Sequence, residues 1–535
     1  MMRIDYVSPL PPVRSGIADY SVDLLPHLAA LADVRLIRLP DLPVDAEVGA
    51  RWAMAPFEET GAGGRIPLYQ MGNNRYHKGV LDLALRIPGV LTLHDVVLHH
   101  LLLDDTLGRQ EAQGFWEYKE RLTRDHGWIG EATALAKRWN AWGEAPVFAL
   151  PAHRALLRRQ RGVLVHSEWA AGLLAEEDPD LLVRAIPMGV PLPPAADAEA
   201  GRLLRRRFNL PEDRPVLGSF GFQTPIKRTG SAIRALAAPG LDSVHLLIVG
   251  QAAPVMDLEG EARRAGVADR VHVMGFVSFE DFEAAIAAVD LCLNLRYPTA
   301  GETSASLLRV LAAGRPAIVS DYAQFADLPP EIVLRVPLGD EEPEALASLL
   351  RELLAHPERL RAMGEAAREH VRVQHDPARA AAAVVGACRE LADLSPPGDD
   401  LLGRPEVPPP SSAAWGDLPG EIEVEGAELP WGQGERRRLR IRVRNTGFAR
   451  WLAGERGPGG VAVVVKLFTD PDLTRDLLAG RPWLALPRDL PPGEVVTLET
   501  DVRRPPGFAH LWIEPHLFGG LGLSKLGGPR WERPV

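Results

Sequence analysis

Apolar runs alternate with helix-like segments along the first part of the chain. Residues 4–7 form a short apolar run, and a proline-rich loop ending in glycine covers residues 8–16. Apolar positions then recur at helical spacing over residues 17–31. Further strands are predicted at residues 34–39, 66–71 and 90–93. Strands and helices that alternate in this way are typical of βαβ units around a parallel sheet.

A second alternating series occupies the middle of the chain. Its strands are predicted at residues 216–220, 244–249, 271–274, 291–295 and 317–319, each before a helix candidate. Two such halves leave a cleft between them, and parallel sheets bind ligands outside the carboxyl ends of their strands. The helix-rich stretch at residues 104–160 lies between the two series. For its tryptophans we predict only packing: Trp116, Trp128, Trp139 and Trp142.

Towards the end of the chain the spacing of apolar residues changes from helical to alternating. Short alternating strands are predicted at residues 438–444, 461–467 and 495–502, with turns at 458–460 and 491–493. The alternation of arginine with Leu439, Ile441 and Val443 in the first of them predicts a half-buried strand. We therefore divide the chain into an N-terminal Rossmann-like domain (1–190), a C-terminal Rossmann-like domain (191–375), a helix returning toward the first domain (376–394), a proline-rich linker (395–416) and a β-sandwich module (417–535).

Composition narrows the class of protein. The 535 residues are 46% hydrophobic and 24% charged, as in folded globular proteins. A formal net charge of −11 argues against a dedicated nucleic-acid-binding protein, which needs a basic face. The chain has only two cysteines, no signal-peptide core and no apolar stretch of membrane-spanning length. These features predict a cytoplasmic protein, and peripheral contact with the inner face of a membrane stays open.

Two candidate features lie in the N-terminal half. Gly16 ends the loop before the first helix, where a helix N-terminus favours negative charge, although a plain tight turn explains the pattern equally well. His94 follows a predicted strand, at the position where parallel sheets present functional groups. A histidine with a purely structural role explains the pattern equally well. His99 and His100 come without a third ligand at metal spacing, so we predict no metal site.

Two loops of the second half are more informative. The glycine loop at residues 221–228 delivers Lys227 and Arg228, which suits a diphosphate that gains negative charge. Residues 296–306 lead from a strand into a helix whose first turn offers free N–H groups and hydroxyls next to Glu302. Taken singly, Glu302 could merely favour the helix N-terminus, and Ser304 could be a cap.

Several short motifs occur in order along the first 390 residues or so. They are Ser-Gly-Ile-Ala-Asp-Tyr at 15–20, Leu-His-Asp at 93–95, Val-His-Ser-Glu-Trp at 165–169, Ile-Pro-Met-Gly-Val at 186–190, the Lys227 loop, Gly-Glu-Thr-Ser at 301–304 and Leu-Ala-Ala-Gly-Arg-Pro at 311–316. This combination resembles the family 4 glycosyltransferases of the α/β GT-B fold. The resemblance implies two Rossmann-like domains facing a cleft. It also implies a retaining transfer from a nucleoside-diphosphate sugar, with no metal ion and no cofactor besides the donor.

The resemblance also implies roles for individual residues. Lys227 would stabilise the leaving diphosphate together with Arg228, His94 would lie beside the transferred sugar, and Glu302 would hold sugar hydroxyls. We therefore name His94, Lys227 and Glu302 as catalytic. The implied donor-binding set is Gly221, Phe222, Gln223, Lys227, Arg228, Gly250, Gly301, Glu302, Thr303, Ser304 and Ser306. The implied acceptor and phosphate loop set is Ser15, Gly16, Asp19, Tyr20 and Asp95.

Two positions depart from the pattern of the family. Members commonly carry an arginine soon after the loop glycine, where this chain has Phe222 and Gln223. They also carry a ribose-binding glutamate five residues before the glycine at position 314, and this chain has Arg309 there. Nucleotide recognition must therefore differ, and one hypothesis is a deoxyribose donor such as a dTDP-sugar.

The tail resembles immunoglobulin-like β-sandwich modules appended to enzymes of carbohydrate pathways. We expect it to bind glycan, to form a homo-oligomer or to dock a partner. The function we predict is transfer to a glycan, lipid-linked or protein acceptor in polysaccharide or glycoconjugate biosynthesis. The alternatives are a catalytically silent GT-B protein that binds sugar or nucleotide, a sugar-nucleotide epimerase and a phosphorylase.

Overall fold

The computed structural model describes residues 1–109, 113–138, 145–193, 198–339, 341–398, 420–428, 430–447, 450–453, 461–468, 483–508, 510–517 and 531–534. The chain forms two compact units. The first consists of Met1–Asp104 with Gly143–Leu401, and the second of Asp105–Trp142 with Leu402–Val535. Apart from residues 105–142, both predicted Rossmann-like domains fall in the first unit. Residues 105–142, which we predicted as part of the domain at 1–190, group with the C-terminal residues instead, because compact units follow contacts in space rather than chain order.

A seven-stranded parallel sheet forms the N-terminal half of the first unit. Its strands are β1 (Arg3–Val7), β2 (Asp33–Ile37), β3 (Met54–Ala55), β4 (Ile66–Met71), β5 (Val90–Leu93), β6 (Gly162–Val165) and β7 (Val183–Ala185), in the order β3-β2-β1-β4-β5-β6-β7. The helices along this part of the chain are α1 (Gly16–Ala29), α2 (Ala46–Arg51), α3 (Lys78–Ala84), α4 (His99–Asp105), α5 (Gly114–Arg138), α6 (Ala145–Ala149), α7 (Arg154–Leu157) and α8 (Glu168–Glu177). The strands predicted at 66–71 and 90–93 are confirmed to the residue.

A six-stranded parallel sheet forms the second half of that unit. Its elements are α9 (Ala198–Arg207), β8 (Val216–Phe220), α10 (Thr229–Ala235), β9 (His245–Val249), α11 (Leu258–Arg264), β10 (Val271–Gly275), α12 (Phe279–Ala288), β11 (Leu291–Asn294), α13 (Ala305–Ala312), β12 (Ala317–Ser320) and β13 (Val333–Val336). The strand order is β10-β9-β8-β11-β12-β13. Strands such as β8 are buried along their whole length, because helices cover both faces of a parallel sheet.

Three helices complete the first unit, α14 (Glu342–Leu354), α15 (Pro357–Gln374) and α16 (Pro377–Leu391). The last of them packs against α1 of the N-terminal half. Its Leu391 lies so close to β6 that a Cβ on Gly162 would come within 2.5 Å of the leucine Cδ1 atom. The helix predicted at 376–394 therefore contacts the first Rossmann-like domain. None of the helices in the described part of the chain is long and apolar enough to cross a membrane.

Two antiparallel sheets form the C-terminal part of the second unit. Their strands are β14 (Gly420–Glu425), β15 (Arg436–Asn445), β16 (Val461–Phe468), β17 (Trp483–Ala485), β18 (Val495–Arg503), β19 (His510–Leu517) and β20 (Trp531–Pro534), in the orders β14-β15-β18 and β17-β16-β19-β20. Leu439, Ile441 and Val443 pack into a core shared by both sheets, which confirms the half-buried strand and the sandwich. Most of the predicted linker, residues 399–416, and the turn at 458–460 lie outside the described residues.

The packing predicted for the tryptophans of residues 104–160 is wrong for Trp128. Its side chain is 77% exposed, because the helical path of α5 breaks at Gly127, which has a φ of 60°, and Trp128 follows on the solvent side. Trp116 is half-buried. Trp139 and Trp142 lie outside the described residues.

Candidate functional site

Two glycines at the carboxyl ends of β8 and β9 bring the strand ends into direct contact. Gly221 has a φ of 91° and Gly250 a φ of 129°, and both values favour glycine. A Cβ on Gly250 would lie 2.2 Å from the carbonyl oxygen of Gly221, so a larger residue has no room there. The two glycines thus leave bare backbone, that is, backbone without side chains, at the point where a parallel sheet binds ligands.

Lys227 lies over this bare backbone. Its Nζ atom donates to the carbonyl oxygen of Phe220 and lies 2.8 Å from where a Cβ of Gly221 would be. Burial, and then the positive charge of Arg296, lower the pKa of Lys227 to about 7. A negatively charged ligand at this position would raise the pKa of Lys227 again, because it would favour the charged ammonium.

The loop after β11 folds around the carboxylate of Glu302. One carboxylate oxygen accepts from Thr299 Oγ1 and from the backbone N–H of Ala300, both at 3.0 Å. The other oxygen lies 3.1 Å from Nη1 of Arg296. The amide of Gln324 donates to the backbone oxygen of Glu302 at 2.6 Å and fixes the loop from the next strand. Glu302 therefore organises this loop.

Hydroxyls surround the start of α13. Ser304 is the N-cap, since its Oγ accepts from the backbone N–H of Leu307 at 3.3 Å. The same hydroxyl donates to Asn294 Oδ1 at 3.1 Å and lies 3.2 Å from the hydroxyl of Ser306. The capping alternative for Ser304 is thus what the structure shows. Thr303 is half-buried beside it.

His94 lies at the carboxyl end of β5 and is buried. Its Nε2 atom is 2.9 Å from Oε1 of Gln70, whose amide nitrogen faces Thr92 Oγ1 at 3.4 Å. With Gln70 Oε1 as the acceptor, the proton of His94 lies on Nε2, and Nδ1 is left as an acceptor. Burial, and then the neighbouring His166, hold the pKa of His94 well below its usual value, so the ring is neutral at pH 7.

Two further rings pack against His94. The ring centroids of Tyr20 and His166 both lie 4.9 Å from that of His94, and they are 5.5 Å apart from each other. The Tyr20 hydroxyl and the His166 Nε2 atom are buried without a hydrogen-bond partner among the described residues. This cluster forms an uncharged polar wall on the N-terminal side of the cleft.

The two Rossmann-like domains touch beside this wall. The backbone N–H of Val97 donates to the carbonyl oxygen of Ala300 at 2.9 Å. Gly301, with a φ of 81°, allows this approach, because a Cβ there would lie 2.6 Å from Cγ2 of Val96. Asp95 lies in the same loop, and burial followed by the charge of Glu302 raises its pKa to about 7.

The loop before α1 forms the opposite rim. Ser15 caps α1 by accepting from the backbone N–H of Ile17 at 3.3 Å. A Cβ on Gly16 would meet nothing within 4 Å, so the space above this glycine is open. Asp19 follows on the exposed side of α1. The guanidinium of Arg14 stacks on the ring of Phe276, 4.5 Å from its centroid, and so reaches the C-terminal domain.

Known proteins resemble parts of this chain. Residues 228–386 match the family described as Glycosyl transferase-like. The 2-deoxystreptamine glucosyltransferase of Streptomyces kanamyceticus is 28% identical over 225 residues, which are 40% of this chain. The chain spans 57% of the length of that relative. Sucrose-phosphate synthase from Thermosynechococcus elongatus superposes with a TM-score of 0.53 at 20% identity, over 73% of this chain and 99% of that structure.

The fold is GT-B. In this GT-B arrangement the structure brings Lys227, Gly221, Gly250, Glu302 and the start of α13 together at the carboxyl ends of the second sheet. It brings His94, Asp95 and Tyr20 to the facing edge of the first sheet. Most of the residues that the sequence names thus lie along one cleft of the GT-B fold.

Two predicted donor-binding residues face elsewhere. The Nε atom of Arg228 is 2.5 Å from a carboxylate oxygen of buried Glu342, so this guanidinium is committed to an ion pair. The side chain of Gln223 is buried and binds Thr229 at 2.7 Å and the carbonyl oxygen of Gly221 at 2.8 Å. Gln223 therefore holds the glycine loop in place. Its neighbour Phe222 is 54% exposed.

Arg296, His166 and Gln324 belong to the site and were missed by sequence reasoning. Arg296 directly follows the predicted strand at 291–295, and a strand end was the signal that could have found it. His166 likewise follows β6 within the motif at 165–169. Gln324 carries no such signal, since only the packing of neighbouring loops brings it to Glu302.

A cavity of about 470 Å³ lies apart from this cleft, between α9 and α12. Its lining includes Leu203, Leu204, Ala284 and Arg309, but neither Lys227 nor Glu302. Within the described residues no group of three or more histidine, cysteine or acidic side chains is arranged to hold a metal ion.

Proposed function

We propose that this protein is a retaining glycosyltransferase of family 4. It moves a sugar from a nucleoside-diphosphate sugar to a hydroxyl of a glycan, lipid-linked or protein acceptor, in polysaccharide or glycoconjugate biosynthesis. The observation that carries the proposal is Lys227 lying over the bare backbone of Gly221, where it can neutralise a diphosphate. The similarity to a glucosyltransferase over 225 residues supports the same class of reaction.

The proposed step exchanges one bond at the anomeric carbon for another. The bond to the diphosphate oxygen breaks on the same face on which the acceptor oxygen bonds, which retains the configuration. The proton of the acceptor hydroxyl passes to the leaving phosphate oxygen, so charge and atoms balance. Lys227 stabilises the negative charge that develops on the diphosphate, and His94 offers Nδ1 as an acceptor for a sugar hydroxyl. The proposal needs no metal ion and no cofactor besides the donor.

Arg309 bears on the choice of nucleotide. It stands where a family member carries a ribose-binding glutamate, and its guanidinium pairs with Asp23. We propose that the donor is a deoxyribose nucleotide such as a dTDP-sugar, for which a carboxylate that binds both ribose hydroxyls matters less. Turnover of a dTDP-sugar well above that of the UDP-sugar would support this choice, and equal turnover of the two would contradict it.

The decisive experiment screens UDP-, GDP-, ADP- and dTDP-sugars by thermal shift and by turnover. We expect one donor to stabilise the protein and to be slowly hydrolysed, and both effects to be lost in Lys227→Ala. Lys78→Ala, which removes an exposed lysine of α3, is the matched control and should behave as wild type. No response to any donor would overturn the proposal.

One observation favours a second candidate, a catalytically silent protein that binds a sugar nucleotide. Both carboxylate oxygens of Glu302 are bound within its own loop rather than open to the cleft. The same screen separates the candidates. Donor binding without hydrolysis or transfer would establish the silent protein, and a donor converted to its epimer would establish an epimerase.

A further inference from the structure

The guanidinium of Arg296 is a buried positive charge just after the carboxyl end of β11. Its backbone N–H donates to Ser320 Oγ at 2.9 Å, which fixes the start of the loop. The residue is 9% exposed, and Nη1 lies 3.1 Å from Glu302. Its Nε atom is buried without a hydrogen-bond partner in the described part of the chain. A guanidinium with an unpaired N–H in a buried position leaves part of its desolvation cost uncompensated.

Arg296 also lies near a second cation. The loops of the two residues touch, since the backbone N–H of Tyr297 donates to the carbonyl oxygen of Ile226 at 2.8 Å. The charge of Arg296 opposes the charged form of Lys227, and the charge of Glu302 favours it. Two cations held together in a buried place repel each other unless an anion joins them. Glu302 balances only one of the two positive charges, so this place favours an added ligand that carries negative charge.

The other cation of the glycine loop, Arg228, is committed elsewhere. The glycine loop carries Phe222 and buried Gln223 after Gly221, and Arg228 is paired with Glu342. A diphosphate that meets Lys227 at the end of β8 would therefore meet its next positive charge on the neighbouring strand, at Arg296. The planar fork of a guanidinium matches two oxygens of one phosphate.

We propose that Arg296 is the second phosphate-binding cation of the site and acts beside Lys227 on the diphosphate of the donor. The inference rests on the proposed function. It assigns to the loop after β11 a second positive charge, which the glycine loop after β8 does not provide. On binding, Arg296 directs its fork to the diphosphate while Nη1 keeps contact with Glu302.

The rival explanation is that Arg296 only positions Glu302. Three variants separate the two roles, since Arg296→Met and Glu302→Gln both break the same ion pair. Arg296→Lys keeps the charge and loses the fork. Each variant is titrated with UDP, GDP, ADP and dTDP and with the four monophosphates, and its unfolding is followed by circular dichroism.

We expect Arg296→Met to weaken the best-bound diphosphate at least 20-fold and its monophosphate less than 3-fold. Glu302→Gln should keep diphosphate binding within about 3-fold, and Arg296→Lys should lose about 5-fold. If Arg296→Met does not fold, the comparison of Arg296→Lys with Glu302→Gln carries the test. Equal losses in the arginine and glutamate variants, or equal losses for mono- and diphosphate, would overturn the inference alone. A wild-type protein that binds none of the diphosphates would overturn the proposed function with it.

Discussion

Arg309 Nη2 lies 2.5 Å from Asp23 Oδ2, and this ion pair joins α13 of the C-terminal Rossmann-like domain to α1 of the N-terminal one. The guanidinium also stacks on Phe279, 5.0 Å from the ring centroid. Both charged side chains are largely buried, with exposures of 16% and 22%. Burial raises the pKa of Asp23, and the charge of Arg309 opposes that rise. The pair is thus a direct polar link between the two Rossmann-like domains.

Removing Asp23 should therefore destabilise the protein. Asp23→Ala leaves the guanidinium of Arg309 without its carboxylate, and we expect a loss of about 1–3 kcal/mol, between the values for exposed and buried pairs. Urea unfolding measures the loss. Asp281→Ala, which breaks the exposed Arg207–Asp281 pair within the C-terminal domain, is the matched control and should cost less than about 1 kcal/mol. Equal losses of unfolding free energy in the two variants would show that the Arg309–Asp23 pair stabilises the protein no more than an exposed pair does.

Diphosphate binding should take up a proton above neutral pH. The pKa of Lys227 is about 7 in the free protein, so at pH 8 most of the lysine is neutral, and a bound anion favours its charged form. Uptake should approach one proton near pH 8 and diminish below pH 7, where the lysine is already charged. Calorimetry in buffers of different ionisation enthalpy measures it. Lys227→Met should abolish the uptake, and a buffer-independent heat for the wild-type protein would contradict the assignment.

A methyl group on Gly250 should disrupt the glycine contact. Gly250→Ala combines an unfavourable φ of 129° with a clash against the carbonyl oxygen of Gly221 at 2.2 Å. Gly266→Ala, at a φ of 72° with nothing within 4 Å, carries the backbone strain alone, about 1–2 kcal/mol. We expect Gly250→Ala to cost about 2 kcal/mol more than this control in urea unfolding and to weaken nucleotide binding. Similar losses of unfolding free energy for both variants would mean that the backbone at Gly221 moves away from the new methyl group at little cost.

Acid should destabilise the protein through its buried histidines. Burial lowers the pKa of His77, His166 and His375 to about 4. The unfolded chain therefore takes up protons first as the pH falls, and stability present above pH 6.5 is lost progressively down to about pH 4. Thermal unfolding between pH 7 and pH 4 measures this slope. His166→Phe should reduce this slope by up to one proton, and a slope that His166→Phe leaves unchanged would refute the burial argument.

The sequence predicted several of the strands that are buried on both faces, although not β6. The strands at 66–71, 90–93 and 216–220 have the predicted bounds, because a continuous apolar run between glycine or proline loops leaves few other structures. No strand was predicted at β3, β6, β7, β13, β14, β17, β19 or β20. Residues 183–185 alternate charge with apolar side chains over only three positions, and such a short segment becomes a strand only when a neighbour pairs with it.

The amino-acid order by itself determined the kinds of element, their α/β alternation and the loops at the carboxyl ends of strands. Those are local properties of spacing, glycine and proline. Only the tertiary structure decided which charges meet. Arg228 and Arg296 both lie in loops that follow sheet strands, and the sequence does not distinguish them. In the structure Arg228 pairs with Glu342. Arg296 pairs with Glu302, whose charge also acts on Lys227. The physical reason is that electrostatic interaction depends on distance through space, which strand order and loop packing set and sequence separation does not.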